Sequence, residues 1–280
     1  MKNSILALLI ALNTFSCFSQ SFPKKQTLIP LSNVNGVPFY KAEEMGDIGI
    51  NGFEIDDKGN FFFFGGERNG CLACFNGSKQ VYRKNYNDLS KGSELHLHKN
   101  NMYGFTFDRN GNRVYIKINA ANGSIIKLPN QFEPSNSSDK IFIDSCIIFE
   151  FSGANDSKNY YEQYTLTGKF IKKTSKITEI RSLFFPQAGN DPIYSFVGEW
   201  NDDYVFWGKS DLDAPYQLYL VDDKGKILAK RIIPKGLTGK GYFEEPDEDR
   251  KVRNGSFFVL GRKGNYALIT EIPLASFFEK

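Results

Sequence analysis

The sequence is poor in the residues and motifs that most often mark catalytic sites. Its 280 residues include only two histidines, two tryptophans, three methionines and four cysteines. It contains no Gly-x-Ser-x-Gly nucleophile motif, no glycine-rich phosphate-binding loop and no dinucleotide-binding fingerprint. These absences argue against serine-hydrolase and nucleotide-dependent chemistry.

Long apolar runs and helical periodicity are also scarce. After the first residues, no segment is long and apolar enough for a transmembrane helix, which needs about 20 residues. No stretch keeps a 3.6-residue apolar period over several turns. The formal charge of +3 is too small to indicate nucleic-acid binding, and we interpret the scattered basic residues as a solvated face. With 41% hydrophobic and 15% aromatic residues, the composition is that of a globular chain.

The N-terminus has the pattern of an export signal. Lys2 supplies the positive charge, residues 5–15 the apolar stretch, and Cys17-Phe18-Ser19 a small-x-small cleavage site. We therefore expect a signal peptide over residues 1–19 and one mature domain over residues 20–280, which is a suitable length for a single all-β domain.

An alternative cleavage site lies just before Cys17. Thr14-Phe15-Ser16-Cys17 loosely resembles a lipoprotein lipobox, and cleavage before Cys17 would leave that residue for lipidation. Either cut predicts an exported protein, in the periplasm or at the outer membrane, and either secreted or lipid-anchored.

Small turns rich in Asp, Asn and Gly recur along the chain. They are Asp57-Lys58-Gly59-Asn60, Arg109-Asn110-Gly111-Asn112, Asp223-Lys224-Gly225-Lys226, Asn76-Gly77, Asn122-Gly123 and Thr167-Gly168. Glycine permits the positive φ that tight hairpin turns require. The spacing from Gly77 to Gly123 is 46 residues and from Gly123 to Gly168 it is 45. This period predicts one four-stranded blade per repeat.

The strand-like runs between the turns fall into five groups. They occupy residues 52–84, 93–128, 140–174, 193–232 and 250–272. The last group lacks an outer strand, and residues 27–31 are available to fill that place, which would close a ring without open sheet edges. A sixth, degenerate blade around residues 176–186 is the alternative.

On these repeats, nearly the whole mature chain resembles β-propeller proteins. It has neither the Gly-His and Trp-Asp pairs of WD40 repeats nor the Ser-x-Asp-x-Gly-x-Thr-Trp box of sialidases. The resemblance implies an all-β, single-domain propeller, with five blades as the first choice and closure by an N-terminal strand. It implies no activity.

The cysteines left after export are predicted to be free. Cys71 and Cys74 lie three apart in one predicted strand, so they point to opposite faces about 10 Å apart, beyond disulfide reach. Cys146 belongs to another blade. We expect three buried or largely buried thiols and no metal site at the Cys-x-x-Cys pair.

Two sets of residues carry possible site chemistry. His96 and His98 have a metal-ligand spacing, but they are the only histidines and no third ligand is identifiable, so we expect a surface or cross-strand role. Inner-strand carboxylates could serve a glycosidase, which needs two such groups at a set separation. The candidates are Glu54, Asp56, Glu94, Asp144 and Glu199.

Several other aspartates fit turns better than chemistry. Asp56, Asp57, Asp222, Asp223 and Asp108 stand where a turn needs a side chain that bonds the local backbone. The segment after Asp108 resembles a shortened calcium loop, but it lacks the downstream carboxylate that a full site requires. We predict no metal and no cofactor.

Two longer connections are the predicted binding surface. Residues 199–216 carry both tryptophans, of which Trp207 is expected in the core. Residues 236–249 carry an acidic aromatic run, Tyr242-Phe243-Glu244-Glu245-Pro246-Asp247-Glu248-Asp249. The predicted contacts are Trp200, Tyr242, Phe243, Glu244, Glu245 and Asp247, with Trp200 contributing if the two connections share a face. Aromatic anchors beside charges suit a protein partner or a glycan.

The sequence therefore predicts a non-enzymatic, exported binding or scaffold propeller that engages a protein partner at the cell envelope. The alternative is a carbohydrate-active enzyme or glycan-binding surface lipoprotein that uses the central funnel.

Overall fold

A computed structural model of the protein describes residues 24–41, 48–50, 52–66, 69–129, 139–151, 160–174, 194–209, 215–233 and 250–279. Within these ranges the chain is almost entirely β-structure. The single helix in the described ranges, α1, is one turn long and covers Ala275–Phe278 near the C-terminus. No helix in the described ranges is long and apolar enough to cross a membrane.

The strands form five antiparallel four-stranded sheets, each built mainly from consecutive strands. Blade 1 contains β4 (Gly52–Ile55), β5 (Asn60–Gly65), β6 (Gly70–Asn76) and β7 (Lys79–Tyr86); blade 2 contains β8 (Leu89–His98), β9 (Asn101–Asp108), β10 (Arg113–Asn119) and β11 (Ile125–Leu128); blade 3 contains β12 (Asp139–Ile143), β13 (Cys146–Phe151), β14 (Tyr160–Thr165) and β15 (Phe170–Thr174). Blade 4 contains β16 (Tyr194–Trp200), β17 (Asp203–Gly208), β18 (Gln217–Val221) and β19 (Ile227–Ile232); blade 5 contains β20 (Arg250–Arg253), β21 (Ser256–Lys263), β22 (Tyr266–Pro273) and β1 (Lys25–Pro30). A short pair, β2 (Tyr40–Lys41) and β3 (Ile48–Gly49), precedes blade 1.

The protein is therefore an all-β, five-bladed propeller, as the sequence predicts. Most predicted strand ends agree within one or two residues, and the largest difference is β8, which begins at Leu89 instead of residue 93. The alternative sixth blade around residues 176–186 lies outside the described residues.

The predicted closure by the N-terminal strand is confirmed. Strand β1 is the outermost strand of blade 5 and pairs antiparallel with β22, from Lys25 opposite Glu271 to Pro30 opposite Tyr266. Ile29 is fully buried in the core between blades 5 and 1. One sheet thus joins both ends of the chain.

An arginine holds the turn that follows β1. Arg83, on the outer strand of blade 1, donates from Nη1 to the Gly36 carbonyl at 2.8 Å and from Nη2 to the Asn33 carbonyl at 2.8 Å. The turn is tight, because a Cβ on Gly36 would lie 2.2 Å from the Pro30 carbonyl oxygen. Arg83 therefore connects blade 1 directly to the closing segment.

Apolar cores fill the spaces between blades. Representative buried side chains are Phe53, Phe63 and Phe258 between blades 5 and 1; Phe62, Phe64 and Leu95 between blades 1 and 2; Phe105, Tyr115 and Phe149 between blades 2 and 3; and Val252, Trp207 and Phe257 between blades 4 and 5. The blade 3–4 space holds two smaller groups, around Tyr161 and Phe206, that both contact Tyr204. The aromatic-rich composition thus supplies the inter-blade packing.

The predicted turn chemistry is present at three aspartates. Asp56, Asp108 and Asp222 each accept two backbone N–H bonds, from the residues two and four positions later, at 2.8–3.0 Å. The Asn112 side chain and these N–H groups hold the pKa of Asp108 below its usual value. Asp57 differs from the prediction, since its carboxylate lies 3.8 Å from Nε of Arg253. The bonds that Asp108 makes to its own turn explain the loop that resembles a calcium site.

The cysteines agree with the expectation of free thiols. Cys71, Cys74 and Cys146 are all unpaired. Burial raises the pKa of Cys74 to about 12 and raises that of Cys71, so both thiols stay protonated at neutral pH. Cys146 is only partly buried, so it departs from the expectation in degree.

The closure makes a testable prediction about two neighbouring residues of β1. Ile29→Ala should lower the melting temperature by roughly 5–15 °C, because removing a buried isoleucine side chain costs about 2–4 kcal/mol and each kcal/mol is worth about 2–4 °C. Leu28→Ala is the matched control, since Leu28 is 39% exposed, and should shift melting by about 2 °C at most. Calorimetry measures both, and equal shifts would mean that β1 does not close the core.

Candidate functional site

Charged and aromatic residues gather where the inner strands β4, β8, β12 and β20 end. We call Glu54, His96, His98, Asp144, Lys251 and Arg253 the axial cluster. These residues come from blades 1, 2, 3 and 5, and the inner strands of a propeller line the centre of the ring. The inner strands place them there because consecutive residues alternate in direction, so His96 and His98 share a face, as do Lys251 and Arg253.

Glu54 and Lys251 form the buried part of the axial cluster. Glu54 is 4% exposed, and its Oε1 lies 3.0 Å from Nζ of Lys251. Its other oxygen accepts the backbone N–H of Ile55 at 3.3 Å, and Lys251 also donates to the Leu95 carbonyl at 3.1 Å. The buried carboxylate is thus paired and hydrogen-bonded, as a buried charge requires.

Arg253, two residues after Lys251 on β20, also bonds groups on the inner strands of blades 1 and 2. Its Nε donates to the Ile55 carbonyl at 3.0 Å, and its Nη2 donates to the Leu97 carbonyl at 3.0 Å. The inner edge of a sheet carries carbonyls that no neighbouring strand takes up. Lys251 and Arg253 therefore join blade 5 to the inner strands of blades 1 and 2.

The two histidines join blade 2 to blade 3 through one aspartate. His96 Nε2 donates to the Asp144 carbonyl at 2.9 Å, and His98 Nδ1 donates to the Asp144 carboxylate at 3.1 Å. Asp144 has a φ of +42° in the turn after β12, and His96 stacks on Phe142 with centroids 5.3 Å apart. The H-x-H pair thus has the cross-strand role that the sequence analysis expected. No group of three or more His, Cys, Asp or Glu in the described ranges is arranged for a metal ion.

Burial lowers the pKa of His96 to about 4. Glu54 and the hydrogen bond to Asp144 raise it in part, whereas Lys251 and Arg253 lower it further. Because the carbonyl only accepts, the proton of the neutral ring sits on Nε2, and Nδ1 is an acceptor.

Glu199 is the carboxylate that faces the axial cluster from blade 4. Glu199 is the last residue but one of β16, at the exposed end of the strand. Desolvation of its carboxyl group raises its pKa, and the charges of Asp144 and Asp202 raise it further. Asp144 and Glu199 therefore repel each other across the blade 3–4 boundary.

The other inner-strand candidates are placed differently. Asp56 belongs to a turn, Asp144 follows β12 instead of lying within it, and the side chain of Glu94 lies outside the described residues. The sequence analysis missed Lys251 and Arg253. Alternating cations in the inner strand Arg250–Arg253, a position that is usually apolar, were the available signal.

Trp207 lies in the core, as expected. It is 2% exposed and stacks on Tyr216 at 4.6 Å and on Phe257 at 5.6 Å, with the Arg250 guanidinium 4.5 Å from its ring centroid. This cation–π stack stabilises the boundary between blades 4 and 5.

The described residues do not test the predicted binding role of Trp200, which stays a prediction because the acidic aromatic run lies outside them. Trp200 ends β16, where it packs on Phe278 at 5.6 Å, and its indole nitrogen is close to Gly255. The acidic aromatic run joins blade 5 at Arg250, the start of β20. Since a Cβ on Gly198 of β16 would lie 2.7 Å from Val252 of β20, the two inner strands run side by side, and Trp200 and Arg250 are at opposite ends. Residues 242, 243, 244, 245 and 247 lie outside the described residues.

Comparison with known protein families and with curated proteins finds no match. Solved structures with similar folds include a β-1,2-mannobiose phosphorylase from Listeria innocua (9% identity, TM-score 0.43, covering 89% of this chain and 81% of that one). An exo-β-1,3-galactanase from Phanerochaete chrysosporium has 10% identity and a TM-score of 0.42, with 88% of this chain and 64% of that one covered. A luciferin-regenerating enzyme has 8% identity and a TM-score of 0.35, over 89% and 95% of the two chains. Similarity this low says nothing about activity.

The low pKa of His96 predicts an acid-sensitive step in stability. The folded state binds the proton only near pH 4, whereas an unfolded histidine binds it near pH 6.5. The contribution of the neutral His96 to the free energy of unfolding is therefore complete above pH 6.5. As the pH falls towards 4, that free energy drops by at most about 3 kcal/mol.

His96→Gln keeps an N–H donor but cannot titrate. Its unfolding free energy should fall less steeply than that of the wild type between pH 6.5 and 4, and the two should run parallel above pH 7. Urea unfolding at several pH values measures this, and identical slopes in the acid window would contradict a desolvated His96.

Proposed function

We propose that this protein is an exported, non-enzymatic binding propeller that engages a protein partner at the cell envelope. On this proposal the protein acts in the periplasm or at the outer membrane. The acidic aromatic run, residues 242–249, contacts the partner, and the five blades hold that run on a rigid ring.

The use of the axial carboxylates supports this proposal most directly. Glu54 is paired with Lys251, and Asp144 is bonded to His98. A glycosidase needs two carboxyl groups that are available to the substrate. The buried Glu54 is not available in this way, because its pairing with Lys251 joins blade 1 to blade 5.

The charge of the acidic aromatic run gives further support. It places five carboxylates within eight residues of a chain whose net charge is +3. Crowded negative charge is stabilised by a cation or a basic partner. Tyr242 and Phe243 supply aromatic anchors, which carry much of the binding energy in protein interfaces.

Substitutions in the run test the proposal. Two variants are needed: one in which Glu244, Glu245 and Asp247 are each changed to Lys, and one that combines Tyr242→Ala with Phe243→Ala. Each should reduce partner recovery from solubilised envelopes by at least about tenfold, as expected for loss of central contacts, and leave the melting temperature nearly unchanged. Mass spectrometry quantifies the recovered proteins.

Trp200→Ala is the control for this experiment. Trp200 packs on Phe278, so its loss should lower the melting temperature and leave recovery intact. If both run variants recover the partner as well as the wild type does, the binding surface lies elsewhere on the ring.

A carbohydrate-active enzyme is the second candidate, and one observation favours it. Glu199 and Asp144 are neighbouring carboxylates, and the pKa of Glu199 is raised by desolvation and by Asp144. A carboxyl group of raised pKa beside a second carboxyl group is one arrangement used for the acid and its partner in glycoside hydrolysis.

Our expectation is that the wild type releases no reducing sugar from a panel of β-linked oligosaccharides. If it does, Glu199→Gln should abolish the activity and Glu271→Gln should keep it, since Glu271 lies in β22, away from the inner strands. That pattern would replace the binding proposal with the enzymatic one.

A further inference from the structure

The outer strands of the blades differ from the rest of the chain in charge. They contain nine basic residues and no Asp or Glu, although the whole sequence has 32 acidic residues. The basic residues are Lys25, Lys79, Arg83, Lys84, Lys127, Lys172, Lys173, Lys230 and Arg231. Sequence reasoning interpreted such residues as a solvated face, but the accompanying apolar residues make that interpretation incomplete.

Exposed apolar side chains occupy the same strands. Those on outer strands are Leu28 (39%), Val81 (56%), Ile126 (60%), Phe170 (50%), Ile171 (45%), Ile227 (44%), Leu228 (47%) and Ile232 (58%). Five of them belong to β15 and β19, which are the outer strands of adjacent blades. We call residues 169–174 and 226–232 the basic rim.

A β-bulge recurs in the outer strands of three blades, and each time the unpaired residue is aliphatic. In blade 3 the register shifts so that Ile171 has no partner in β14, and in blade 4 Leu228 has none in β18. Val81 is in the same situation in blade 1. Each extra residue is thus an exposed aliphatic side chain a few residues after the turn.

The same bulges argue against a partner strand on these edges. A bulge bends an edge strand and interrupts its regular ladder, which disfavours the addition of another strand. The basic rim is therefore suited to recognition through side chains, with apolar groups and cations presented together.

The charges of the basic rim are largely uncompensated in blade 4. In the described part of the chain, neither Lys230 nor Arg231 has a carboxylate within 4.0 Å, whereas Lys173 in blade 3 is paired with Glu162 at 3.2 Å. Asp222 and Asp223 lie in the turn before β19, so the uncompensated positive charge is at the Ile232 end of the strand.

We propose that the basic rim binds the anionic headgroups of a lipid surface. Cations beside protruding aliphatic side chains match a surface with negative headgroups over an apolar interior. The match is one of charge complementarity together with the exposed apolar side chains of both strands. The residues of the basic rim are distinct in sequence from residues 242–249, and the proposal adds a membrane contact to the proposed partner binding.

Vesicle co-sedimentation tests the proposal on the full exported chain carrying Cys17→Ser, so that no acyl chain contributes. The protein should bind phosphatidylcholine vesicles containing about 30% phosphatidylglycerol at low salt, and binding should weaken strongly near 0.5 M salt, where the Debye length is only several ångströms. Vesicles of phosphatidylcholine alone should bind little.

Two rim variants and a matched control locate the surface. Lys172→Gln with Lys230→Gln and Arg231→Gln, and separately Ile227→Ser with Leu228→Ser and Ile232→Ser, should each lower the partition coefficient at least about tenfold. Lys79→Gln with Val81→Ser and Lys84→Gln combines three changes of the same two kinds on blade 1 and should have little effect.

Three results would overturn the proposal. The first is equal binding to both vesicle types, and the second is an equal loss in the blade 1 control. The third is absence of vesicle binding together with loss of an acidic protein partner in the rim variants, which would assign the basic rim to that partner. Melting temperatures of all variants show whether a loss of binding reflects misfolding.

Discussion

The antiparallel pairing of β1 with β22 is the interaction on which the ring depends. It brings residues 25–30 against β22, which completes blade 5 and places Ile29 in the core between blades 5 and 1. Arg83 reinforces this joint from blade 1 by binding the turn after β1. Without the closing strand, the apolar side of β22 would face water, and the core between blades 5 and 1 would lose Ile29.

The axial cluster adds a second joint of a different kind. The inner ends of the blades are held by charged side chains that reach carbonyls of neighbouring strands, from blade 5 to blades 1 and 2 and from blade 2 to blade 3. Between blades 3 and 4 the described residues have a facing pair of carboxylates, Asp144 and Glu199, and two smaller apolar groups instead. The cohesion of the ring is therefore uneven.

The repeats made the fold predictable from the sequence, whereas the axial cluster could not be predicted in this way. Turn glycines at 45–46-residue spacing, and a last blade without its outer strand, were sufficient to predict five blades and their closure, because turns and strand alternation are local properties. The partnership of Glu54 with Lys251, nearly 200 residues apart, depends on how blades meet around the ring, which no local pattern contains.

The same topology gives a physical reason for placing the proposed binding surfaces outside the centre. Inner strands meet at the axis, where the buried carboxylate of Glu54 needs a partner. Lys251 supplies that partner, and Arg253 donates to carbonyls of two neighbouring strands. Outer strands have no such neighbour, so their cations and aliphatic residues stay exposed, and the bulges at Ile171 and Leu228 keep those edges from pairing with another strand. A propeller arranged in this way holds itself together through its axis and leaves its rim and its connections for recognition.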